Sequence, residues 1–461
     1  MKPSIPQGTR DFSPAVVLRR QYIFNTLRTI FETYGFQPLE TPAMENLQTL
    51  TGKYGEEGDR LIFKILNNGL HEKKDSDKEK LNEEWSKLLS KPYSSPIITE
   101  RALRYDLTIP FARFVVMNQN DLAFPFRRYQ MQPVWRADRP QRGRYREFWQ
   151  CDCDVVGSTS LINEAELLCI YQAAFHELNI PKITLKINSR KLLAGLAEIA
   201  GVPLQMMEMT IALDKLDKIG WDGVTKELQQ RGIDENGILR IKEVIGINGK
   251  NIEKIAALKN QMQSSEIGLQ GIQELEQTIA YQQQLSSGVW QSEILVDVSL
   301  ARGLNYYTGV IVEVTTDAVK MGSLGGGGRY DDLTGLFGLK GLSGVGVSFG
   351  IDRIYDVMEE LNVFPVQLVP GGKVMLVNFG GENESYALKV LQQIRNAGIA
   401  AEIYPDAAKF DKQMKYANKR GFAFVVLLGD EEREKQLLSV KNFTNGEQQK
   451  ISLHEAIEKL Q

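Results

Sequence analysis

Between Arg127 and Arg146 the chain carries seven arginines and a single acid, Asp138, interleaved with apolar and aromatic residues suited to partial burial. Arginine is rarely buried without a partner, and its planar fork matches a phosphate or carboxylate in a two-point contact. A crowd of arginines short of local acids therefore anticipates an anion from outside. The alternative is a solvated, salt-bridged hairpin of little net stability. The stretch Phe126 to Gly157, FRRYQMQPVWRADRPQRGRYREFWQCDCDVVG, reads as strand, loop, strand. Tyr129 to Arg136 alternates, Ala137 to Gly143 holds the Pro and Gly of a turn, and Tyr145 to Val156 returns. Arg136 ends the first strand while Arg144 and Arg146 begin the second, which aims several guanidinium groups at one spot. Arg139, Gln141 and Arg142 sit in the loop, free to reach a larger anionic partner. On the return strand Gln150, Asp152 and Asp154 hold alternate positions and project to one side. A ligand with phosphate at one end and a cationic or donor-rich group at the other suits this pattern.

The string VWRADRPQRGRYREFWQ resembles the second shared motif of the class II aminoacyl-tRNA synthetases, in the form found in histidyl-tRNA synthetases. The rest of the chain bears on that resemblance independently. A length of 461 residues predicts two or three domains. The composition, 43% hydrophobic and 25% charged, is that of a soluble globular protein. A net charge of −3 gives no global attraction to nucleic acid, so any RNA contact must come from local basic patches. The start MKPSIPQGTRDFSP lacks an apolar signal core, and no run approaches the roughly 18 apolar residues that span a bilayer, so a cytoplasmic protein is expected. Three cysteines, Cys151, Cys153 and Cys169, are too few for a disulfide framework and read as small apolar packing residues. Three scattered histidines leave zinc without ligands and offer no attractive general base, so chemistry must depend on positioning and electrostatics.

Residues 15 to 34 place Ile23, Leu27, Ile30, Phe31 and Tyr34 at helical spacing, and FQPLETPAME follows as a strand broken by prolines. This pair is similar to the first class II motif, which implies a homodimer interface. Asn67 to Pro96 is a mixed charge run, read as a solvated insertion. In TERALRYDLTIP, Asp106 and Thr108 stand two apart, and on an extended segment they would share a side and hold an ammonium group. An ordinary turn is the bland alternative. LRYDLTIPFAR resembles the amino-acid-binding stretch of histidyl-tRNA synthetases. Helical spacing covers 163 to 177 and most of 189 to 285, with a short strand at Ile183 to Ile187 between them.

In ILVDVSLARGLNYYTGVIVEV, Arg302 lies at a strand junction, and a regular strand would point Tyr306 and Tyr307 to opposite sides. LARGLNYYTG resembles a histidyl-specific motif, with Asn305 where aspartate is usual. GSLGGGGRYDDLTGLFG has four glycines that let backbone approach a ligand, but lacks the Gly-Lys-Ser of a P-loop. It resembles the second histidine-specific motif, a pocket floor, with Asp332 replacing a glycine. GLSGVGVSFGIDRIYDVMEEL puts Arg353 in the first turn of a helix and is similar to the third class II motif, whose arginine contacts the outer phosphate of ATP. After a Pro- and Gly-rich linker at 364 to 372, a βαβαβ pattern predicts an α/β module with a parallel core. That module resembles the anticodon-binding domain of class IIa synthetases.

The resemblance implies an α+β protein with an antiparallel-sheet catalytic domain in two parts, 1–188 and 289–364. A helical insertion at 189–288 would separate them, and an α/β anticodon-binding domain would fill 372–461. It implies activation of histidine by ATP to histidyl-adenylate, then transfer to tRNA(His), with Mg²⁺ whose ligands the sequence leaves unnamed. Arg136 and Arg302 are the candidate catalytic groups, with Arg144 and Arg353 also on ATP. Asp106, Thr108 and Gln150 would hold the α-amine, Asp154 and Tyr307 would read the imidazole, and Tyr306 would join them in the histidine site. Gln141 and Arg142 would touch the tRNA acceptor end. A silent paralogue that binds without activating, and the same scaffold charging another amino acid, stand as rivals.

Overall fold

The computed structural model describes all residues except 1, 53–54, 91–94, 287, 289, 291, 302–305, 366–367, 369–372, 444 and 461. The chain divides into two compact units, Met1–Asp11 with Arg20–Phe364, and Phe12–Arg19 with Pro365–Gln461.

In the first unit, β1 (Gln37–Pro38) is followed by β2 (Met44–Asn46), β3 (Lys64–Ile65) and β4 (Arg101–Leu103). The last three form a small sheet in the order β2-β4-β3. The main sheet adds β5 (Phe126–Trp135), β6 (Glu147–Val156), β7 (Ile183–Ser189), β8 (Glu293–Val296), β9 (Val310–Thr316), β10 (Gly325–Tyr330) and β11 (Gly344–Gly350). Its order is β1-β5-β6-β11-β10-β9-β7-β8, antiparallel through the centre and parallel at the two outer pairs. The glycine run forms a central strand of this sheet. A Cβ built on Gly327 would lie 2.0 Å from the Gly346 carbonyl oxygen, so only glycine lets β10 and β11 lie this close.

Two helices pack on the sheet face that carries Phe349. The helix Pro14–Thr33 buries Ile23, Leu27, Ile30 and Phe31, and the Phe31 ring meets Phe349 and Tyr129 at 5.7 and 5.5 Å. The helix Ile162–Glu177 brings Tyr171 within 4.6 Å of the same Phe349. Cys151 and Cys153 alternate with the polar residues of β6 and are fully buried, with thiols pushed well up by that burial. They pack as apolar side chains. Six helices between Arg190 and Leu285 follow the expected apolar spacing. The helix Asp75–Ser90, inside the charged run, buries none of its residues.

The second unit has β12 (Val374–Leu376), β13 (Ala401–Ile403), β14 (Phe424–Leu427), β15 (Leu438–Asn442) and β16 (Gln448–Ile451), in the order β13-β12-β14-β15-β16. Parallel pairing stops at β14, where an antiparallel hairpin continues the sheet. That hairpin has a polar, exposed outer strand, QQKI, with little of the apolar character that marks a strand in sequence.

Candidate active site

The β5–β6 hairpin runs in register from Phe126 opposite Val156 to Trp135 opposite Glu147. Its loop is closed by Arg136 N–H to the Arg146 carbonyl at 2.9 Å and turns at Gly143, whose φ of 70° favours glycine. The first strand starts three residues before the sequence pattern suggests, at Phe126, and the second starts two later, at Glu147.

On β6 the three polar side chains share one face, as period two requires. Gln150 Nε2 donates to Ser348 Oγ at 2.8 Å and to Asp152 Oδ1 at 3.3 Å. Asp154 Oδ1 accepts from the Tyr330 hydroxyl at 2.6 Å, and its Oδ2 lies 2.8 Å from Arg128 Nη2. Burial raises the Asp154 carboxyl, against the pull of Arg128 and Tyr330. Burial also pushes Asp152 up to about 7, with Arg128 working against it.

Arg136 donates from Nε to the Tyr105 carbonyl at 3.0 Å and from Nη2 to Gln150 Oε1 at 3.2 Å, its guanidinium over the Tyr105 and Phe148 rings. Arg353, in the first turn of the helix Ile351–Leu361, donates to the carbonyls of Gly143 at 2.8 Å and Ser323 at 2.6 Å. Arg144 lies 3.8 Å from Asp138. Arg136, Arg144 and Arg353 line one cavity of about 200 Å³ together with Asp106, Thr108, Gln150, Tyr306 and Tyr307. A recess of about 20 Å³, lined by Asp152, Asp154 and Tyr330, shares Thr108, Tyr306, Tyr307, Gly326 and Ser348 with it.

Several expectations change. Asp106 and Thr108 are not on an extended segment: Thr108 opens the helix Thr108–Met117, and Asp106 Oδ1 caps it by accepting from Ile109 N–H at 3.1 Å. Both still face the cavity. Tyr306 and Tyr307 do not diverge, because they precede β9 in a turn; their rings lie 4.9 Å apart and both line the cavity. Arg302 and Asn305 lie outside the described residues. Gln141 and Arg142 stay in the hairpin loop away from the cavity lining, Arg142 ion-paired with Glu360. Asp332 Oδ1 accepts from Gly341 N–H at 3.3 Å, a local turn contact.

Arginines in the crowded stretch also find acids: Arg127 pairs with Glu166 on the next helix, and Arg128 with Asp154 directly across the hairpin. Sequence reading missed a second supporting node. Asp352 Oδ1 accepts from Arg10 and, at 2.5 Å, from Arg20, while Asp352 Oδ2 accepts from Trp149 N–H at 3.1 Å. Arg10 also lies 3.3 Å over the Tyr145 ring. The only local signal was an acid beside Arg353; its two arginine partners are more than 300 residues away.

A histidyl-tRNA synthetase profile matches residues 98–354, and an anticodon-binding-domain profile matches 373–461. The chain is 53% identical over 455 residues to the histidine–tRNA ligase of Christiangramia forsetii, covering 98% of each chain. It is 50% identical over 456 residues to that of Bacteroides fragilis, covering 99% of this chain and 98% of the relative. Among solved structures, histidyl-tRNA synthetase from Nostoc sp. PCC 7120 superposes with a TM-score of 0.80 at 31% identity, over 100% of this chain and 99% of the other. With its main sheet antiparallel through the centre, its arginine-lined cavity and these matches along nearly its whole length, this chain belongs to the histidyl-tRNA synthetase family of class II enzymes.

Proposed function

We propose that the chain is a histidine–tRNA ligase and that the cavity is where histidine and ATP react. The observation that carries the residue assignment is Arg136, whose guanidinium touches Gln150 of the acid-bearing wall while lining the same cavity as Arg144 and Arg353. Histidine fits with its α-amine toward Asp106, Thr108 and Gln150 and its ring toward Asp154, Tyr306 and Tyr307. The triphosphate fits at the arginine end, with Arg353 on the outer phosphate.

Attack of the histidine carboxylate on the α-phosphate forms the carboxyl–phosphate bond and expels pyrophosphate. Negative charge grows on the phosphate oxygens, and arginines already held in place stabilise it without reorganising solvent. We assign that role to Arg136 and, from the family resemblance, to Arg302. The second step passes the histidyl group to the terminal ribose of tRNA(His), leaving AMP.

Among the described residues no three His, Cys, Asp or Glu side chains cluster to hold a metal, and Asp352 already receives two guanidinium groups. Magnesium would fit here as an ion held by phosphate oxygens and water, as it usually is on nucleotides, and would supply charge neutralisation. We read 1–188 and 289–364 as the catalytic domain, 189–288 as an insertion and 372–461 as the anticodon-binding domain, with Gln141 and Arg142 near the acceptor end. The resemblance at the first motif supports a homodimer, and kinship with bacterial synthetases supports a cytoplasmic location; no helix of the described residues is long and apolar enough to cross a membrane.

The test is amino-acid-dependent exchange of pyrophosphate into ATP, followed by charging of tRNA(His). Histidine alone should drive exchange. Exchange with a different amino acid, or none from folded protein, overturns the assignment and favours the other scaffold readings.

A further inference from the structure

Asp152 has no role in the scheme above, yet it is 2% exposed and lines the recess with Asp154, Thr108 and Tyr307. Its register neighbours are Gln130 on β5 and Ser348 on β11. The two carboxyls are not equivalent. Asp154 has Tyr330 on one oxygen and Arg128 on the other. Asp152 receives a long 3.3 Å contact from Gln150 and the Ser348 hydroxyl, both uncharged. Next to it, Gln130 Oε1 is buried without a hydrogen-bond partner, so this spot already has an acceptor in excess. The charged and titratable groups around Asp152 are Arg128 on β5, Arg104 after β4, Asp154 on β6, Asp106 ahead of the helix Thr108–Met117, Tyr307, and Tyr330 on β10. Burial leaves the Asp152 carboxyl able to hold a proton near neutral pH.

An imidazole ring has two nitrogens and, when neutral, one proton between them. If Asp154 accepts from the protonated nitrogen, the other must be met by a donor, or must itself carry a proton to an acceptor. We propose that Asp152 is a second specificity-determining residue, sharing one proton with the ring nitrogen that Asp154 does not take. A neutral acid donates O–H to a bare nitrogen, or a carboxylate accepts N–H from a charged ring; the proton count is the same. The inference rests on the reading that the deep end of the cavity holds the histidine ring.

The experiment is the histidine KM in pyrophosphate exchange between pH 5.5 and 8.5, with the ATP KM measured alongside. Wild type should bind histidine best near pH 6.5 to 7 and lose about tenfold per unit on each side, since the bound pair needs one proton and no more. In Asp152→Asn, Gln150 holds the amide oxygen and the amide N–H₂ can only donate. The alkaline limb should vanish while the acidic limb remains. Asp152→Ala should raise the histidine KM roughly tenfold or more near pH 7 and remove the alkaline limb, with the ATP KM nearly unmoved. Wild-type protein should also reject histidine methylated at either ring nitrogen, a readout independent of how the variants fold. A variant profile that overlays wild type, or acceptance of either methylated ring, overturns the role of Asp152. No exchange with histidine in wild type would instead overturn the reading of the cavity.

Discussion

At the deep end of the cavity the reading groups stand mid-strand, with Asp152 and Asp154 only 2% and 3% exposed. At the mouth, Arg144 comes from a loop and Arg353 from the first turn of a helix, and the Arg144 side chain is half exposed. The two ends also hold their charges differently. Asp154 is matched by a buried arginine, whereas Arg136 is held by the Tyr105 carbonyl and the Gln150 amide oxygen, and Arg353 donates to the carbonyls of Gly143 and Ser323. A ring that must be recognised needs a closed, dry wall; a triphosphate that must enter and leave as pyrophosphate needs positive charge at an open rim.

The sharpest way to break this contrast is Asp154→Ala. It strands Arg128, fully buried, and should cost about 3–5 kcal/mol in a denaturant melt, while histidine selection fails and ATP binding persists. Unchanged histidine affinity would remove the ring assignment. At the other end, Arg136→Ala should lower the exchange rate by about 10² to 10³, with the fold retained. A loss under tenfold would mean the mouth stabilises little of the developing charge.

A third prediction concerns stability and pH. The folded Asp152 carboxyl titrates near 7 against about 3.9 unfolded, so folding favours its protonated form. That stabilisation is complete below pH 4 and is lost as pH rises toward 7. Asp152→Asn should therefore flatten the stability profile between pH 4 and 7 and gain about 2–4 kcal/mol at pH 8. The smallest effect belongs to the rim: Arg142→Ala should leave melting unchanged and lower the salt dependence of tRNA binding by about one unit of slope.

The contrast also explains what could be read from sequence. Gln150, Asp152 and Asp154 were legible because strand periodicity alone puts them on one face, and Arg136, Arg144 and Arg353 because each sits at an element end. The Asp106 cap was misread because a carboxylate two residues before a hydroxyl suits either a strand or a helix start. Asp352 escaped notice because its value depends on Arg10 and Arg20, which folding delivers from the other end of the chain. The arginine crowd overstated its case for the same reason: Glu166 and Glu360 balance Arg127 and Arg142 from beyond any local window.

The most direct measurement is the pair of Michaelis constants in pyrophosphate exchange for Asp154→Asn and Arg353→Ala. Two ends of one cavity predict a crossed result, with the first variant weakening histidine alone and the second weakening ATP alone. If each variant raises both constants equally, or if each leaves its own substrate untouched, histidine and the triphosphate are not divided between these walls.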